Sequence, residues 1–328
     1  MARGAGEERD GVALTNLDQP LFAGSEATKR DLVDYLDGVR DRIIPALADR
    51  PLSVIRVLRG QDPFMQKNVP KYTPDFVRTV TVWAESSQRD VSYALCNDRR
   101  TLLWFANQRA VEYHPTLSKA PDMLRATHLI LDLDPPESTV DAAGSAKSFG
   151  LAVKAAHLIR QALAGCGLEC VAKTSGAKGV HVFVPIQAHA IEDVAAATRA
   201  VAARAERLDP DLATTAFIRE DRGGKVFLDS TRAGGATVVS VYSPRLRPGV
   251  PVSFPVPWGD LDAVTPADFT MRTVPGLLGD GDPWRDAMPA EQKLPGDLIA
   301  EGHGIPIARV QAMHEGKRRK RAREAGDR

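Results

Sequence analysis

Aspartates 132, 134 and 229 are the residues of this 328-residue chain whose type and spacing point most directly to chemistry. Asp132 and Asp134 close the apolar run His128-Leu-Ile-Leu-Asp132-Leu-Asp134. They are two apart, so on an extended strand both carboxylates leave the same face. Two like charges on one face are costly unless a cation neutralises them. Asp229 ends a second apolar run, Val226-Phe-Leu-Asp229. Three carboxylates at strand ends suit Mg²⁺ or Mn²⁺, which take hard oxygen ligands and complete their shells with substrate phosphates. Two such ions would activate an attacking 3′-hydroxyl and hold the leaving pyrophosphate, the chemistry of nucleotidyl transfer. Taken alone, Asp-x-Asp-Pro-Pro is also a common way for a strand to end in a turn.

Between the aspartates lies Lys173-Thr-Ser175-Gly-Ala-Lys178-Gly-Val-His181, which lacks the spacing of a Walker A loop and so disfavours an ordinary P-loop ATPase. Its glycines still let backbone N–H groups approach a phosphate, with Ser175 adding a hydroxyl and Lys178 a cation. His181 opens the next apolar run, where its imidazole either donates to a phosphate oxygen or serves the fold. Arg222, seven residues before Asp229, either faces the same cleft or is a solvated loop charge.

These groups need strands to deliver them and helices to cover the strands. Residues 1–10 read as a flexible lead and 11–17 as a short extended piece. Apolar positions at Leu32, Val33, Leu36, Val39 and Ile43 predict an amphipathic helix over 29–44 with Thr28 as N-cap. Strands are expected at 51–58, 77–82, 128–133, 225–228 and 237–242, and a helical stretch at 99–113. Long helices are expected at 143–164 and 191–208, with a hairpin of 168–173 and 180–184 around the 175–179 loop. Beyond Pro244, prolines at 248, 251, 255 and 257 predict a segment that wraps the surface and adds no central strand. No repeat of fixed period is present. The elements predict an α+β fold of mixed and antiparallel sheets flanked by helices. The domain reading is a lead at 1–10, a catalytic domain at 11–300 built as one unit of two sub-modules, and a helical, basic tail at 301–328.

Composition is that of a globular protein with a sizeable core, 43% hydrophobic and 26% charged, and a net charge of +1 names no partner. The basic run at 315–323 is either a solvated helix end or a nucleic-acid contact. Three cysteines (Cys96, Cys166, Cys170) are too few and too scattered for a disulfide framework, and no second Cys/His pair completes a zinc site around Cys166 and Cys170. No apolar run approaches 18 residues and the N-terminus is not a signal peptide, so a soluble, cytoplasmic protein is expected.

Together the segments resemble the archaeo-eukaryotic primase superfamily, and within it the polymerase domain of bacterial ligase D of non-homologous end joining. The resemblance rests on Leu131-Asp132-Leu-Asp134-Pro, Thr174-Ser175-Gly-Ala-Lys178-Gly-Val-His181 and Lys225-Val-Phe-Leu-Asp229, in that order. It extends to Leu14-Thr15-Asn16-Leu-Asp18, Thr28-Lys29-Arg30-Asp31, Asp62-Pro-Phe64-Met-Gln-Lys67, Glu112-Tyr-His114 and Tyr242-Ser-Pro-Arg245, covering roughly residues 11–290. It implies a primase-polymerase core with an RRM-like module, using Mn²⁺ or Mg²⁺ in a two-metal site held by Asp132, Asp134 and Asp229. It further implies a nucleotide pocket of Ser175, Lys178, His181, Arg222 and Arg245. DNA contacts are implied at Lys29, Phe64, Lys67 and His114, with Phe64 stacking on a base and the two lysines associated with DNA, including a downstream 5′-phosphate. The implied enzyme is a monomeric, stand-alone polymerase without ligase or nuclease domain. It would add nucleotides, preferably rNTPs over dNTPs, to gapped or broken DNA ends, with primase ability, alongside the Ku end-binding protein and a separate ligase.

Three departures from the ligase-linked pattern stand out: Gln19 where a lysine is usual, Met65 where a second aromatic follows Phe64, and Ser230-Thr-Arg232-Ala where Trp-Ser-Gln-Asn follows the third aspartate. The first predicts weakened 5′-phosphate recognition. Two other functions compete. A metal-dependent phosphoesterase or nuclease would not need the Ser175–His181 loop. An inactive nucleic-acid-binding module would have no use for three clustered carboxylates.

Overall fold

Thr28 and Asp31 close a capping box at the start of the first helix: the Asp31 amide donates to Thr28 Oγ1 (3.2 Å) and the Thr28 amide to Asp31 Oδ2 (2.6 Å). A computed structural model describes residues 7–84, 88–137, 142–233 and 236–307. The basic run at 315–323 lies outside them. The described chain divides into two compact units, the first formed by Met1–Thr127, Val171–Ala177 and Gly235–Met288, the second by His128–Cys170, Lys178–Gly234 and Pro289–Arg328.

In the first unit the helix expected over 29–44 is two, Lys29–Gly38 and Arg40–Leu47, because Gly38 is a poor helix former and Val39 turns out of helical geometry (ψ 8°). Their buried faces, including Leu32, Val33, Leu36, Ile43 and Leu47, meet the helix Arg99–Asn107. That third helix starts on Asp98, whose side chain accepts from the Thr101 amide (2.8 Å). It ends earlier than expected. Arg109 takes a left-handed conformation (φ 59°), and Ala110–Pro115 becomes a buried strand rather than more helix. The reason is tertiary: Val111 and Tyr113 bury completely as the strand pairs antiparallel with Leu52–Arg56. Leu52–Arg56 also pairs with Phe64–Gln66, and Thr79–Ala84 with Arg89–Ala94, in a five-stranded sheet.

Two further expectations are corrected in this unit. Residues 237–242 form no regular strand; they run beside 113–116 through one bridge, Thr116 to Thr237, and turn away at Tyr242 (φ 62°). The proline-rich stretch does not simply wrap the surface, since Val250, Val252, Ser253 and Phe254 are buried and Pro255–Val256 pairs antiparallel with Val171–Thr174. Its place at a sheet edge is where a proline's missing N–H costs nothing.

The second unit is where the apolar runs become strands. The strand Asp122–Asp134 enters it at His128, and Leu129, Ile130, Leu131 and Leu133 are fully buried. Val226–Asp229 lies antiparallel beside it and parallel to Ala213–Thr214, with Val180–Ala190 in the same sheet. The helices Ala142–Ala164 and Ile191–Leu208 cover these strands and pack on each other. A short helix, Gly296–His303, docks on Ile191–Leu208 so closely that a Cβ at Gly302 would stand 1.8 Å from the Ala196 carbonyl oxygen. Arg204 clamps it through Glu301 (2.5 and 2.8 Å). The α+β class expected from the sequence holds. No helix among the described residues is long and apolar enough to cross a membrane.

Candidate active site

Antiparallel register sets Asp229 directly opposite Asp132, with Leu228 opposite Leu133 and Phe227 opposite Asp134. Two carboxylates facing each other across a ladder repel. The structure offsets this with Arg232, whose Nη2 lies 2.7 Å from Asp132 Oδ2 and 3.2 Å from Asp229 Oδ2. The other oxygens are also engaged. His181 Nε2 lies 3.1 Å from Asp132 Oδ1, and Asp229 Oδ1 accepts from the Thr231 amide (2.8 Å) and hydroxyl (2.6 Å).

Electrostatics separates the two carboxyls of the Asp-x-Asp pair. Burial alone would raise Asp132, but His181 and Arg232 hold its pKa well below the usual carboxylate range. Asp134 is raised to about 6, first by burial and then by the charge of Asp132, with Asp229 adding to it and Arg232 and Lys178 opposing. Such a carboxyl is short of positive charge.

Among the described residues no group of three His, Cys, Asp or Glu side chains converges as a ready metal site. The donor set still fits a divalent cation. Asp132, Asp134 and Asp229 offer hard oxygens, and the Arg232 guanidinium already stands between two of them as a cation. In the same unit, Lys178 acts electrostatically on Asp134. Arg222 lies over the Phe227 ring, 3.8 Å to its centroid, donates to the carbonyls of Ala216 (3.3 Å) and Phe217 (3.2 Å), and interacts with Asp134 and Asp229.

The other expected nucleotide groups, Ser175 and Arg245, lie in the first unit. Arg245 Nη1 donates to the Ser175 carbonyl, and its Nε lies 3.1 Å from Glu112 Oε2 without hydrogen-bond alignment. Gly176 holds the turn between them at φ 68°, where a Cβ would come within 2.7 Å of Arg245 Cγ and 2.8 Å of the Ser253 nitrogen. Glu112 is buried and also meets His114 Nε2 (2.9 Å) and the Leu246 amide (2.8 Å). Burial works against its charge, yet His114, Arg245 and Leu246 bring its pKa down to about 2. His114 is lowered by its own burial and by the charges of Arg245 and Lys173, so near neutral pH it is a neutral imidazole on a carboxylate.

Of the residues implied for DNA, Lys29 is buried, its Nζ donating to the Thr15 carbonyl (2.5 Å) and to Asn107 Oδ1 (2.6 Å). Its pKa falls to about 8, through burial and then the charge of Arg109. Arg109 donates to Gln19 Oε1 (3.3 Å) and to the carbonyls of Pro20 (2.7 Å) and Leu21. Among the described residues neither cation has a carboxylate within ion-pair distance. Gln19 and Arg109 line a cleft of about 1060 Å³ with Phe22, Arg59, Gly60 and Leu246. Phe64 is 37% exposed on its short strand, with the Arg56 guanidinium 5.9 Å from its ring centroid, and Lys67 is exposed just beyond it.

No role for Arg232 or Arg109 is legible in the sequence, and Glu112 shows there only as part of the Glu112-Tyr-His114 likeness. The Arg232 position was visible only as a departure after Asp229, and Arg109 carried no local signal because its partner Gln19 is 90 residues away. A family model described as the LigD primase-polymerase domain matches residues 28–284. The bifunctional non-homologous end joining protein LigD of Bacillus subtilis is 33% identical over 269 residues, which are 80% of this chain and 42% of that protein. The multifunctional non-homologous end joining DNA repair protein LigD of Mycobacterium tuberculosis is 31% identical over 274 residues, 79% of this chain and 34% of that protein. The chain thus spans less than half the length of these curated relatives. Among solved structures, the polymerase domain of Mycobacterium tuberculosis ligase D in complex with DNA superposes with a TM-score of 0.75 at 29% identity, covering 86% of this chain and 98% of that one.

Proposed function

The chain belongs to the LigD primase-polymerase domain family, and on that premise we propose that it is a metal-dependent nucleotidyltransferase that extends a DNA 3′-hydroxyl in gap filling or end repair. The supporting observation is the pairing of Asp132 with Asp229 across two strands, with Asp134 two residues along from Asp132. Asp132, Asp134 and Asp229 would hold Mn²⁺ or Mg²⁺, which supplies Lewis-acid activation of the 3′-hydroxyl and neutralises the triphosphate. His181, on Asp132 Oδ1, orients that carboxylate. Thr231, on Asp229 Oδ1, does the same for the facing one. Lys178 and Arg222, both acting on the acidic cluster, supply fixed positive charge for the incoming phosphates. Ser175 and Arg245, the other residues the resemblance implies for the nucleotide, are joined within the first unit by the Arg245 bond to the Ser175 carbonyl.

The proposed partner is gapped or broken DNA, with rNTPs preferred over dNTPs, and primase activity, Ku and a separate ligase follow as further parts of the same reading. The test is extension of a primed, gapped template with rNTPs or dNTPs, in Mn²⁺, Mg²⁺ or EDTA. Templated addition that EDTA abolishes is the expected result. Degradation of the primer, or binding with no turnover under any metal, would overturn the proposal.

A further inference from the structure

Arg232 reaches both facing carboxylates, and its contacts are with oxygens other than those held by His181 and Thr231. Asp132 gives Oδ1 to His181 and Oδ2 to Arg232, while Asp229 gives Oδ1 to Thr231 and Oδ2 to Arg232. Its seat is incomplete for a purely structural arginine: Nε is buried without a hydrogen-bond partner. One charge therefore sits among three carboxylates while a donor beside it stays unpaired, an arrangement with an energetic cost.

We propose that Arg232 is a built-in competitor for the divalent cation, holding Asp132 and Asp229 in its absence and giving up both when it binds. The inference rests on the metal reading of these aspartates. A metal bridging Asp132 Oδ2 and Asp229 Oδ2, at oxygen-bond lengths of about 2.0–2.1 Å, would take the place between them that Nη2 holds at 2.7 and 3.2 Å. Binding in that place would break two ion-pair contacts and move a guanidinium. The occupied seat keeps the facing carboxylates from repelling one another when no metal is bound, at the expense of metal affinity. A residue here that is neutral and shorter in reach, such as the glutamine in the ligase-linked Trp-Ser-Gln-Asn pattern, leaves both oxygens available.

The test is Mn²⁺ binding to the nucleotide-free protein, followed by loss of the free-ion electron paramagnetic resonance signal, for the wild type, Arg232→Gln, Arg232→Lys and Asp229→Asn. Arg232→Gln is expected to bind at least about tenfold more tightly, a decade being about 1.4 kcal/mol, with Arg232→Lys between it and wild type. Thermal unfolding gives a second readout: in EDTA Arg232→Gln should melt below wild type, and Mn²⁺ should raise its melting temperature by more. Arg232→Lys keeps a positive charge, so it carries the comparison should the glutamine variant fail to fold. If Asp229→Asn loses Mn²⁺ binding while neither Arg232 variant binds more tightly, the competitor role is wrong and the metal reading survives. If Asp229→Asn binds as wild type does, the metal reading itself fails.

Discussion

Asp132 and Asp229 face one another across an antiparallel strand pair, joined by a single guanidinium nitrogen of Arg232. Asp229 ends its strand and Asp132 lies two residues inside the end of its own, so the sheet fixes the pair rather than a flexible loop. We expect Asp132→Asn and Asp229→Asn to lower primer extension by several orders of magnitude. Loss of transition-state charge stabilisation in phosphoryl transfer costs several kcal/mol, at about 1.4 kcal/mol per decade of rate. Steady-state extension assays decide it; either variant within tenfold of wild type would remove these residues from the catalytic centre.

Glu112 makes stability depend on pH in the acid range. Its carboxyl is held near 2 in the folded protein against 4.5 ordinarily, burial being outweighed by His114, Arg245 and the Leu246 amide. A depressed carboxylate contributes stability above its unfolded pKa and loses it as pH falls through the folded value. The contribution, on the order of 3 kcal/mol, is therefore full above about pH 4.5 and lost toward pH 2. Glu112→Gln should flatten the decline of the urea midpoint across that window. Parallel curves for the variant and wild type would show the cluster to be energetically silent.

Arg109 changes the expectation for Gln19. The absence of a lysine at 19 predicts weak 5′-phosphate recognition, but the structure adds a guanidinium hydrogen-bonded to Gln19 and electrostatically coupled to Lys29. Two cations that have no carboxylate partner among the described residues suit a phosphomonoester dianion, each charge-assisted bond being worth about 1.5–3 kcal/mol. We expect Arg109→Ala to reduce any preference for a 5′-phosphorylated gap by about tenfold or more, and Gln19→Lys to add little. Binding to gapped DNA with and without the phosphate measures both.

The same pair has a pH signature of opposite sign in binding and in stability. Lys29, with its pKa lowered from 10.5 to about 8, is charged at neutral pH at a cost to the fold. That cost is relieved between pH 8 and 10.5, so its contribution to stability rises there, while phosphate preference falls as the proton leaves. A preference that holds unchanged to pH 10 would exclude Lys29 from the contact.

Gly176 is a conformational requirement. At φ 68° with Arg245 Cγ, the Ser253 nitrogen and the Val252 carbonyl carbon within 3.0 Å of a built Cβ, it leaves no room for a side chain. We expect Gly176→Ala to lower unfolding stability by about 1–3 kcal/mol, read as a lower denaturant midpoint with an unchanged slope. A neutral substitution would mean that the turn relaxes without strain.

Much of the frame was legible because its signals are local. Thr28 as N-cap, the helix over 191–208 and the apolar strand from 128 are each specified within a few residues, and all three are present. The strand Ala110–Pro115 stands where the sequence predicts helix, and 237–242 is irregular where it predicts a strand. In the first case pairing overrides propensity: Val111 and Tyr113 are buried by the strand Leu52–Arg56, more than fifty residues upstream. Pro255–Val256 entered a sheet for the same reason, finding an edge where a missing N–H is tolerated.

That Asp132 and Asp134 share a face follows from the two-residue period of any strand, and that Ser175 and Lys178 share a loop follows from their spacing. The opposition of Asp229 to Asp132, the Arg232 bridge, the His181 contact with Asp132, the Glu112–Arg245 pair and the place of Arg109 beside Gln19 come from folding alone. Most of these pairs are separated by scores of residues, and even Arg232 reaches Asp132 only because register brings Asp229 there. Register comes from the burial of whole strands, and no local spacing records it.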